Sequence, residues 1–203
     1  MIVIVDFGMG NLRSIQHKLE KAGVESRISS EVNVIKEAHK IILPGVGHFA
    51  TGMKNLIQFK LIDILNEKIL QEKVPILGIC LGMQLFTQHS EEGRQSGLGW
   101  IKAKAIKFEY DQNNNLRVPH VGWNKIALKK DSTLFNRVNV EHRFYFTHSY
   151  YVSCESMDDV IATTTYGIEF VSVIQKDNIF GTQFHPEKSH LNGFEIIKNF
   201  IRI

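Results

Sequence analysis

The stretch from residue 74 to residue 86 constrains the fold more than any other part of this chain. Its apolar run ends in Gly78-Ile79-Cys80-Leu81-Gly82 and passes directly into an amphipathic pattern. This order predicts a strand that delivers a thiol onto a sharp turn opening a helix, the cysteine counterpart of the Gly-x-Ser-x-Gly nucleophile elbow. Gly78 and Gly82 leave room for a strained turn and a close backbone approach. The positive end of the helix dipole favours a thiolate there.

On this stretch alone, Cys80 is equally well interpreted as a small hydrophobic residue at the end of a buried strand. The segment Gln183-Phe184-His185-Pro186-Glu187 favours a catalytic role for Cys80 instead. A strand-like run over 179–184 leads into its last three residues. In an extended chain His185 and Glu187 share a face, about 7 Å apart along the strand. A carboxylate so placed orients an imidazole whose other nitrogen can reach a nucleophile. Alone, this segment better fits an ordinary surface histidine. Together, the two segments predict a Cys80–His185–Glu187 catalytic triad.

Hydrophobic periodicity in the first half of the chain predicts alternating strands and helices. The strands are expected over 2–5, 24–28, 40–44 and 75–79, and the helices over 11–22 and 55–72 and from the elbow onward. Such β-α-β alternation predicts an α/β fold with a mostly parallel central sheet and helices on both faces.

The second half has a different texture, because short segments with period-two patterning replace the helices. These predicted strands cover 101–108, 124–128, 143–146, 151–153, 160–165 and 170–175. We expect them to be antiparallel and to extend the same sheet, with a tight turn at Asn113-Asn114-Asn115 and a final helix over 192–202. No linker interrupts the chain, so residues 1–203 are expected to form one domain.

Composition narrows the class of protein. A formal net charge of +3 over 203 residues is too small and dispersed to indicate nucleic-acid binding. Two widely separated cysteines, a first segment without signal-peptide character and the absence of a membrane-spanning run predict a cytoplasmic protein that does not bind membranes. The spacing of the histidines does not suggest a metal site; those concerned are His48, His120, His142 and His148.

Gly78–Gln84 and Phe184–Ser189 together resemble the class I, triad-type glutamine amidotransferases. Three further segments resemble one subfamily, the glutaminase subunits of imidazole glycerol phosphate synthases: Asp6–Leu12, Pro44–Phe49 and Pro119–Asn124. The resemblance extends from residue 2 to about residue 200, and the cysteine and His-Pro-Glu motifs are its most specific parts.

The resemblance implies a flavodoxin-like fold and hydrolysis of the glutamine side-chain amide without a cofactor or metal. Cys80 would form a γ-glutamyl thioester, while His185 transfers protons and Glu187 orients the imidazole. The oxyanion would be bound by the N–H of Leu81 and by the glycine loop at Val46 and Gly47. The resemblance also places a set of residues around the substrate glutamine, namely Gly47, Gly82, Gln84, Ser149 and Tyr150.

A partner is expected because free ammonia is quickly protonated in water and then ceases to be a nucleophile. In the resembled subfamily the partner is a (β/α)8-barrel cyclase, bound as a heterodimer. It uses the ammonia to make imidazole glycerol phosphate and aminoimidazole carboxamide ribotide in histidine biosynthesis. Asn11, Trp123 and Lys188 match positions near that interface. Trp123 fits an interface anchor, although a half-buried core tryptophan is nearly as good an interpretation.

Other functions remain open. Phe7 and the segment around His190 also resemble relatives that supply ammonia to sugar-modifying synthetases of surface polysaccharide or flagellar glycan pathways. A redox sensor of similar architecture would have the elbow cysteine but no need for the acid–base pair. A peptidase would share the triad but need an open groove. A catalytically idle binding module is the least compatible with a full set of triad residues.

Overall fold

The structure of this protein is a computed structural model that describes residues 1–109 and 116–203. The turn expected at Asn113–Asn115 lies outside the described residues. In the first half, β1, β2, β3 and β4 alternate with five helices, α1 to α5. In chain order the elements are β1 Ile2–Val5, α1 Leu12–Lys21, β2 Ser26–Ser29, α2 Val32–Lys36, β3 Lys40–Gly45, α3 Phe49–Gln58, α4 Ile62–Asn66, β4 Ile76–Cys80 and α5 Leu81–Leu85.

The second half consists mainly of short strands and closes with one helix. The strands are β5 His89–Ser90, β6 Gln95–Ser96, β7 Ala103–Lys107, β8 His120–Asn124, β9 Ala127–Leu128, β10 Phe144–His148, β11 Tyr150–Cys154, β12 Val160–Tyr166, β13 Ile168–Lys176 and β14 Ile179–Thr182. The closing helix is α6, His190–Arg202, and short 3-10 turns cover Thr133–Phe135, Met157–Asp159 and Pro186–Lys188.

Five parallel strands form the centre of the main sheet, in the order β2-β1-β3-β4-β14. Antiparallel pairing then continues the sheet from β14 through β13 and β11 to β7, with β12 and β9 on the other edge of β13. The expected α/β architecture, a parallel sheet extended by antiparallel strands, is therefore confirmed.

One pair of strands departs from the expected single sheet. β8 and β10 form a separate two-stranded antiparallel sheet. The other edge of β10 pairs with the segment that follows β14 and not with a strand. His185 N–H donates to the Tyr145 carbonyl at 2.9 Å, and Tyr145 N–H donates to Ser189 Oγ at 3.0 Å. These contacts bind β10 to the segment that carries His185.

Helices cover both faces of the main sheet. On one face α2, α3 and α4 contribute Ile35, Leu56 and Leu65 to a fully buried cluster, and on the other α1 and α6 contribute Leu19 and Phe200. None of the helices within residues 1–109 and 116–203 combines the length and apolarity needed to cross a bilayer.

Two predicted elements are divided in the structure. The helix expected over 55–72 consists of α3, α4 and a π-helical turn, Glu67–Gln71, because Lys60 adopts a left-handed conformation (φ 56°) that ends α3. The strand expected over 124–128 is split between β8 and β9, because Asn124 Oδ1 accepts from the Lys125 N–H at 2.8 Å and turns the chain. Helix α2 was not expected.

The order of the parallel strands brings three chain segments together. β3, β4 and β14 are neighbours, so their carboxyl ends meet at one edge of the sheet. The glycine loop follows β3, Cys80 ends β4, and the His-Pro-Glu segment follows β14. In open α/β sheets this edge is where ligands bind.

Candidate active site

Cys80 occupies the strained turn that the sequence predicts. It is the last residue of β4 and the residue before α5, with φ 54° and ψ −109°. A side-chain-bearing residue adopts such a positive φ only where the surrounding structure enforces it. A Cβ atom on Gly82 would lie 1.8 Å from the Leu43 carbonyl oxygen, and one on Gly78 would lie 2.5 Å from the Phe86 ring. Both glycines are therefore needed for close packing around the turn.

His185 and Glu187 are in direct contact, although not along an extended strand. β14 ends at Thr182, and Pro186 begins a 3-10 turn that folds the Glu187 side chain back onto the imidazole. His185 Nδ1 lies 2.8 Å from Glu187 Oε1, and both side chains are almost wholly buried. The side chains of His185 and Glu187 are therefore hydrogen-bonded and not separated as they would be along a strand. Pro186 favours this turn because its ring fixes φ at a value that a helical turn requires.

The charge on His185 is determined by its two neighbours. Burial opposes the imidazolium, but the negative charges of Cys80 and Glu187 outweigh it and raise the pKa of His185 to about 10. Within the described part of the chain, His185 Nε2 and Glu187 Oε2 are buried without a well-aligned hydrogen-bond partner. Such unpaired atoms are costly, and they leave Nε2 available for proton transfer.

Cys80 Sγ has two further polar neighbours. The Thr147 carbonyl oxygen lies 3.7 Å from the sulfur, in position to accept from a thiol. Gln183 Nε2 lies 3.6 Å from it and donates. Gln183 is fully buried. The sequence analysis did not assign it a role, although it is the first residue of the segment that carries the triad histidine.

A cavity of about 230 Å³ opens onto the sulfur. It brings together most of the residues predicted to bind the oxyanion or the substrate. Its lining includes Val46, Gly47, Leu81, Gln84, Ser149 and Tyr150. Gly82, predicted with them, is not in that lining and packs against the Leu43 carbonyl instead. Gly47 has φ 129°, a conformation that favours glycine.

Glu92 also lines this cavity and was missed in the sequence. One of its carboxylate oxygens accepts from the Phe49 N–H at 2.7 Å, which fixes the side chain near the start of α3. The contact joins residues 43 positions apart, so no local pattern could have indicated it.

A buried histidine pair adjoins the cavity, since His148 is part of its lining. His120 Nδ1 is 3.1 Å from His148 Nε2, and His148 Nδ1 is 2.8 Å from the Tyr150 carbonyl oxygen. Burial lowers the pKa of His120 to about 4 and that of His148 to about 3. Both rings are therefore neutral at pH 7, and they act as hydrogen-bonding groups.

The three residues predicted at a subunit interface lie in two places. Trp123 is 40% exposed and stacks on His190, with ring centroids 4.6 Å apart. Lys188 Nζ lies 5.5 Å from the Tyr145 ring, which also contacts Trp123. Asn11 caps α1 through Ser14 and lines a different cavity. The exposure of Trp123 argues against the core-tryptophan interpretation.

The other cysteine, Cys154, lies in a different environment. Burial, with a smaller contribution from Asp159, raises the pKa of the Cys154 thiol to about 12. Within the part of the chain that the structure describes, no three histidine, cysteine or acidic side chains are arranged to hold a metal ion.

Comparison with known proteins gives concordant results. The glutamine amidotransferase class-I family matches residues 3–203. The imidazole glycerol phosphate synthase subunit HisH 2 of Methanococcus maripaludis is 50% identical over 202 residues, which cover 100% of this chain and 99% of that protein. HisH of Leptospira borgpetersenii is 44% identical, with 98% of both chains covered. HisH 2 of Pseudomonas aeruginosa is 40% identical, with 100% of both covered.

Solved structures with much lower identity share the fold. A putative GMP synthase protein from Thermoplasma acidophilum superposes with a TM-score of 0.73 at 20% identity, covering 99% of this chain and 92% of that one. PurLQS from Thermotoga maritima gives a TM-score of 0.71 at 17% identity, covering 99% and 97%.

Proposed function

We propose that this chain, which belongs to the class I glutamine amidotransferase family, is the glutaminase subunit of an imidazole glycerol phosphate synthase. It hydrolyses glutamine to glutamate and ammonia, with residues 1–203 acting as one amidotransferase domain. The observation that carries the proposal is the buried Cys80–His185–Glu187 arrangement beside a small cavity. The names of relatives that are 40% to 50% identical over nearly the whole chain support the choice of synthase.

The reaction divides into two acyl transfers. The Cys80 thiolate attacks the side-chain carboxamide carbon of glutamine and forms a C–S bond. His185 gives its proton to the nitrogen as the C–N bond breaks, so ammonia leaves and a γ-glutamyl thioester remains. Water then gives a proton to His185 and attacks the thioester. The C–S bond breaks, glutamate leaves and the thiolate is regenerated. Glu187 keeps the imidazole oriented throughout and stabilises its positive charge.

Each step passes through a tetrahedral intermediate with a negatively charged oxygen. The N–H of Leu81 follows the nucleophile in sequence and is one proposed donor. The second is an N–H of the glycine loop at Val46 or Gly47, which borders the same cavity. Loss of one such donor typically costs about 3–4 kcal/mol of transition-state stabilisation. The exposed Val46 and the conformation of Gly47 would let this loop adjust when a partner binds.

The size and polarity of the cavity suit a free amino acid. About 230 Å³ is below the range typical of drug-sized ligands, which suits a ligand as small as one amino acid. We assign the Glu92 carboxylate to the α-ammonium group of glutamine. Gln84, Ser149 and Tyr150 are assigned to its remaining polar atoms. Gly82 contributes indirectly, by allowing α5 to approach β3.

The proposed partner is a (β/α)8-barrel cyclase that receives the ammonia directly. The docking face, defined here as Trp123, Tyr145, Lys188 and His190, adjoins the segment that carries His185. The Tyr145 carbonyl oxygen accepts a hydrogen bond from the His185 backbone N–H. A displacement of this face on binding would therefore reach the triad through β10. Asn11 is assigned to the rim of the same contact.

Two experiments test the proposal. A glutamine-mimicking electrophile should label Cys80, free glutamine should protect it, and Cys80→Ala should be neither labelled nor active. A redox sensor would show no such protection. In the second experiment, the gene is expressed in a histidine auxotroph that lacks this subunit. Rescue by the wild type but not by Cys80→Ala would support the histidine pathway. Glutaminase activity without rescue, despite good expression, would overturn that assignment and point to a sugar-modifying synthetase.

A further inference from the structure

A continuous hydrogen-bond chain that does not include His185 leads to the Cys80 sulfur. It begins at the carbonyl oxygen of Tyr150, which accepts from Gln84 Nε2 at 2.9 Å. The same Gln84 nitrogen donates to Gln183 Oε1 at 3.0 Å. Gln183 Nε2 in turn donates to Cys80 Sγ at 3.6 Å, within the longer range of hydrogen bonds to sulfur.

The direction of every bond in this chain is determined by its first member. A backbone carbonyl can only accept, so the atom of Gln84 that faces Tyr150 must be the NH₂ nitrogen. The second hydrogen of that nitrogen then points at Gln183, which must present its carbonyl oxygen. The NH₂ group of Gln183 is therefore turned towards the sulfur. Reversing Gln183 would bring two NH₂ groups together and leave the second hydrogen of Gln84 Nε2 without its acceptor.

The same carbonyl also orders the histidine pair. His148 Nδ1 lies 2.8 Å from the Tyr150 oxygen, so this nitrogen carries the hydrogen and Nε2 of that neutral ring is an acceptor. His120 Nδ1 must then donate to it. Two side chains, Gln84 and His148, thus bond one carbonyl oxygen. Gln84 and Gln183 are buried and have no freedom to exchange their amide atoms.

A thiolate and a thiol would use different neighbours. A thiol has one hydrogen to donate, and the Thr147 carbonyl oxygen lies 3.7 Å away to receive it. A thiolate can only accept, and Gln183 Nε2 donates to it beside the imidazole of His185. Hydrogen bonds to a charged acceptor are roughly twice as strong as those between neutral groups. The chain therefore favours the ionised sulfur.

We infer that Gln183 is a further catalytic residue, whose side-chain amide stabilises and positions the Cys80 thiolate before glutamine is attacked. Gln84 is the positioning residue that fixes the direction of this amide. The inference rests on the proposed role of Cys80 as nucleophile. It adds a third group that acts on the sulfur, beside the imidazole of His185 and the strained backbone of the elbow.

The test replaces the side-chain amide of Gln183 with groups of similar volume. Gln183→Met keeps the approximate volume and removes the donor, whereas Gln183→Glu keeps an acceptor for Gln84 and places a carboxylate against the sulfur. Gln88→Met, at an exposed position four residues after Gln84, is the matched control. For each protein the rate of Cys80 alkylation by iodoacetamide is followed from pH 5 to pH 10, with thermal unfolding as a check on folding.

Loss of a hydrogen bond to a charged group should move the midpoint of the alkylation profile upward by about one to two pH units in Gln183→Met. A larger shift is expected in Gln183→Glu, and none in Gln88→Met. In the complex with the cyclase, kcat for glutamine hydrolysis should fall at least about tenfold in Gln183→Met, while KM changes much less. A merely structural role would not move the alkylation midpoint of a variant that unfolds at the wild-type temperature.

A measurement on Gln183 in the wild-type protein tests the inference even if the Gln183 variants fail to fold. In wild-type protein, the NMR signals of the Gln183 side-chain amide should shift with the same pH midpoint as Cys80 alkylation, and this titration should vanish in Cys80→Ala. Signals that do not titrate, or folded Gln183 variants with the wild-type midpoint, would overturn the inference. If glutamine fails to protect wild-type Cys80 from labelling, it is the proposed glutaminase function that is wrong.

Discussion

The imidazole of His185 keeps its proton in a place where burial alone would remove it. Its Nδ1 atom lies 2.8 Å from the Glu187 carboxylate, and the charge of Cys80 acts on the same ring. The pKa of His185 is raised to about 10, whereas the same histidine in the unfolded chain titrates near 6.5. Between these values the native state binds the extra proton, so the ion pairs stabilise the fold fully below pH 6.5 and progressively less above it.

We therefore expect Glu187→Gln to change both stability and turnover. Without the carboxylate the pKa of His185 falls back, so the free energy of unfolding should decline less steeply between pH 6.5 and pH 10 than in the wild type. The upper limit for one proton is about 1.4 kcal/mol per pH unit. Turnover in the complex should fall by about 100-fold, because the imidazole loses its orientation. Urea unfolding at several pH values and steady-state kinetics measure the two effects.

A wild-type slope in Glu187→Gln would mean that Cys80 alone holds the proton on His185. Glu141→Gln is a suitable control, because the carboxylate of Glu141 is exposed and pairs only with Lys125 on the surface. Its slope over the same pH range should match that of the wild type.

The identities of the proposed catalytic residues could be predicted from short motifs, but their contacts could not. Motif spacing names Cys80, His185 and Glu187, yet spacing alone suggests a strand where the structure has a turn at Pro186. Gln183 and Glu92 escaped notice for a related reason. Their positions depend on partners 103 and 43 residues away in the sequence, Cys80 and Phe49. Only the folded chain brings such pairs together.

Among the elements, the elbow depends on how closely α5 approaches β3. A Cβ atom on Gly82 would lie only 1.8 Å from the Leu43 carbonyl oxygen. Backbone cannot rotate out of the way as a side chain can. The approach of α5 therefore sets the position of the Cys80 turn relative to the glycine loop that follows β3.

Gly82→Ala should therefore lower the free energy of unfolding by at least about 1–3 kcal/mol, because the added methyl group must displace backbone atoms. It should also reduce Cys80 alkylation by shifting the elbow. Gly52→Ala is the matched control: that glycine lies within α3, and a Cβ atom there meets the flexible ends of two side chains, Leu85 at 3.3 Å and Leu81 at 3.5 Å. Alanine in a helix interior is favoured by up to about 1 kcal/mol, which should offset the contact. Equal stabilities of the two variants, measured by urea unfolding, would contradict this account of the elbow.

Element types could be predicted well where hydrophobic periodicity is strong, and poorly where a single residue redirects the chain. β1, β3 and β4 are fully buried runs and were located to within a residue. The single helix expected over 55–72 was wrong because the left-handed Lys60, which ends α3, has no local signature in the sequence. The split between β8 and β9 depends on a side-chain bond from Asn124, which periodicity does not record.

For the molecule as a whole, the alternation of strands and helices was sufficient to predict the parallel core of the sheet. It was not sufficient to predict that β10 leaves the main sheet to pair with β8 and with the segment after β14. That arrangement depends on pairing between distant strands, which alternation within each strand cannot specify. It is also what connects the docking face to His185.

The two tryptophans of this chain allow that connection to be tested. Trp100 is 4% exposed and its indole N–H donates to Asn66 Oδ1 at 2.8 Å, so it belongs to the interior. Trp123 is 40% exposed and stacks on His190. Exposed tryptophans at the centre of an interface often contribute about 2 kcal/mol or more to binding.

Trp123→Ala should leave the unfolding temperature of the isolated protein nearly unchanged and weaken cyclase binding by about 30-fold or more, measured by titration calorimetry. At saturating cyclase, glutamine hydrolysis should recover in part, because the triad itself is intact. Trp100→Ala should show the reverse pattern, with a large loss of stability and little change in affinity for the folded fraction. Ile57 is an exposed apolar residue on α3, and Ile57→Ala should change neither the unfolding temperature nor the cyclase affinity. Unaltered cyclase affinity in Trp123→Ala would exclude this face as the docking surface, since Trp123 is the large apolar side chain that this face exposes.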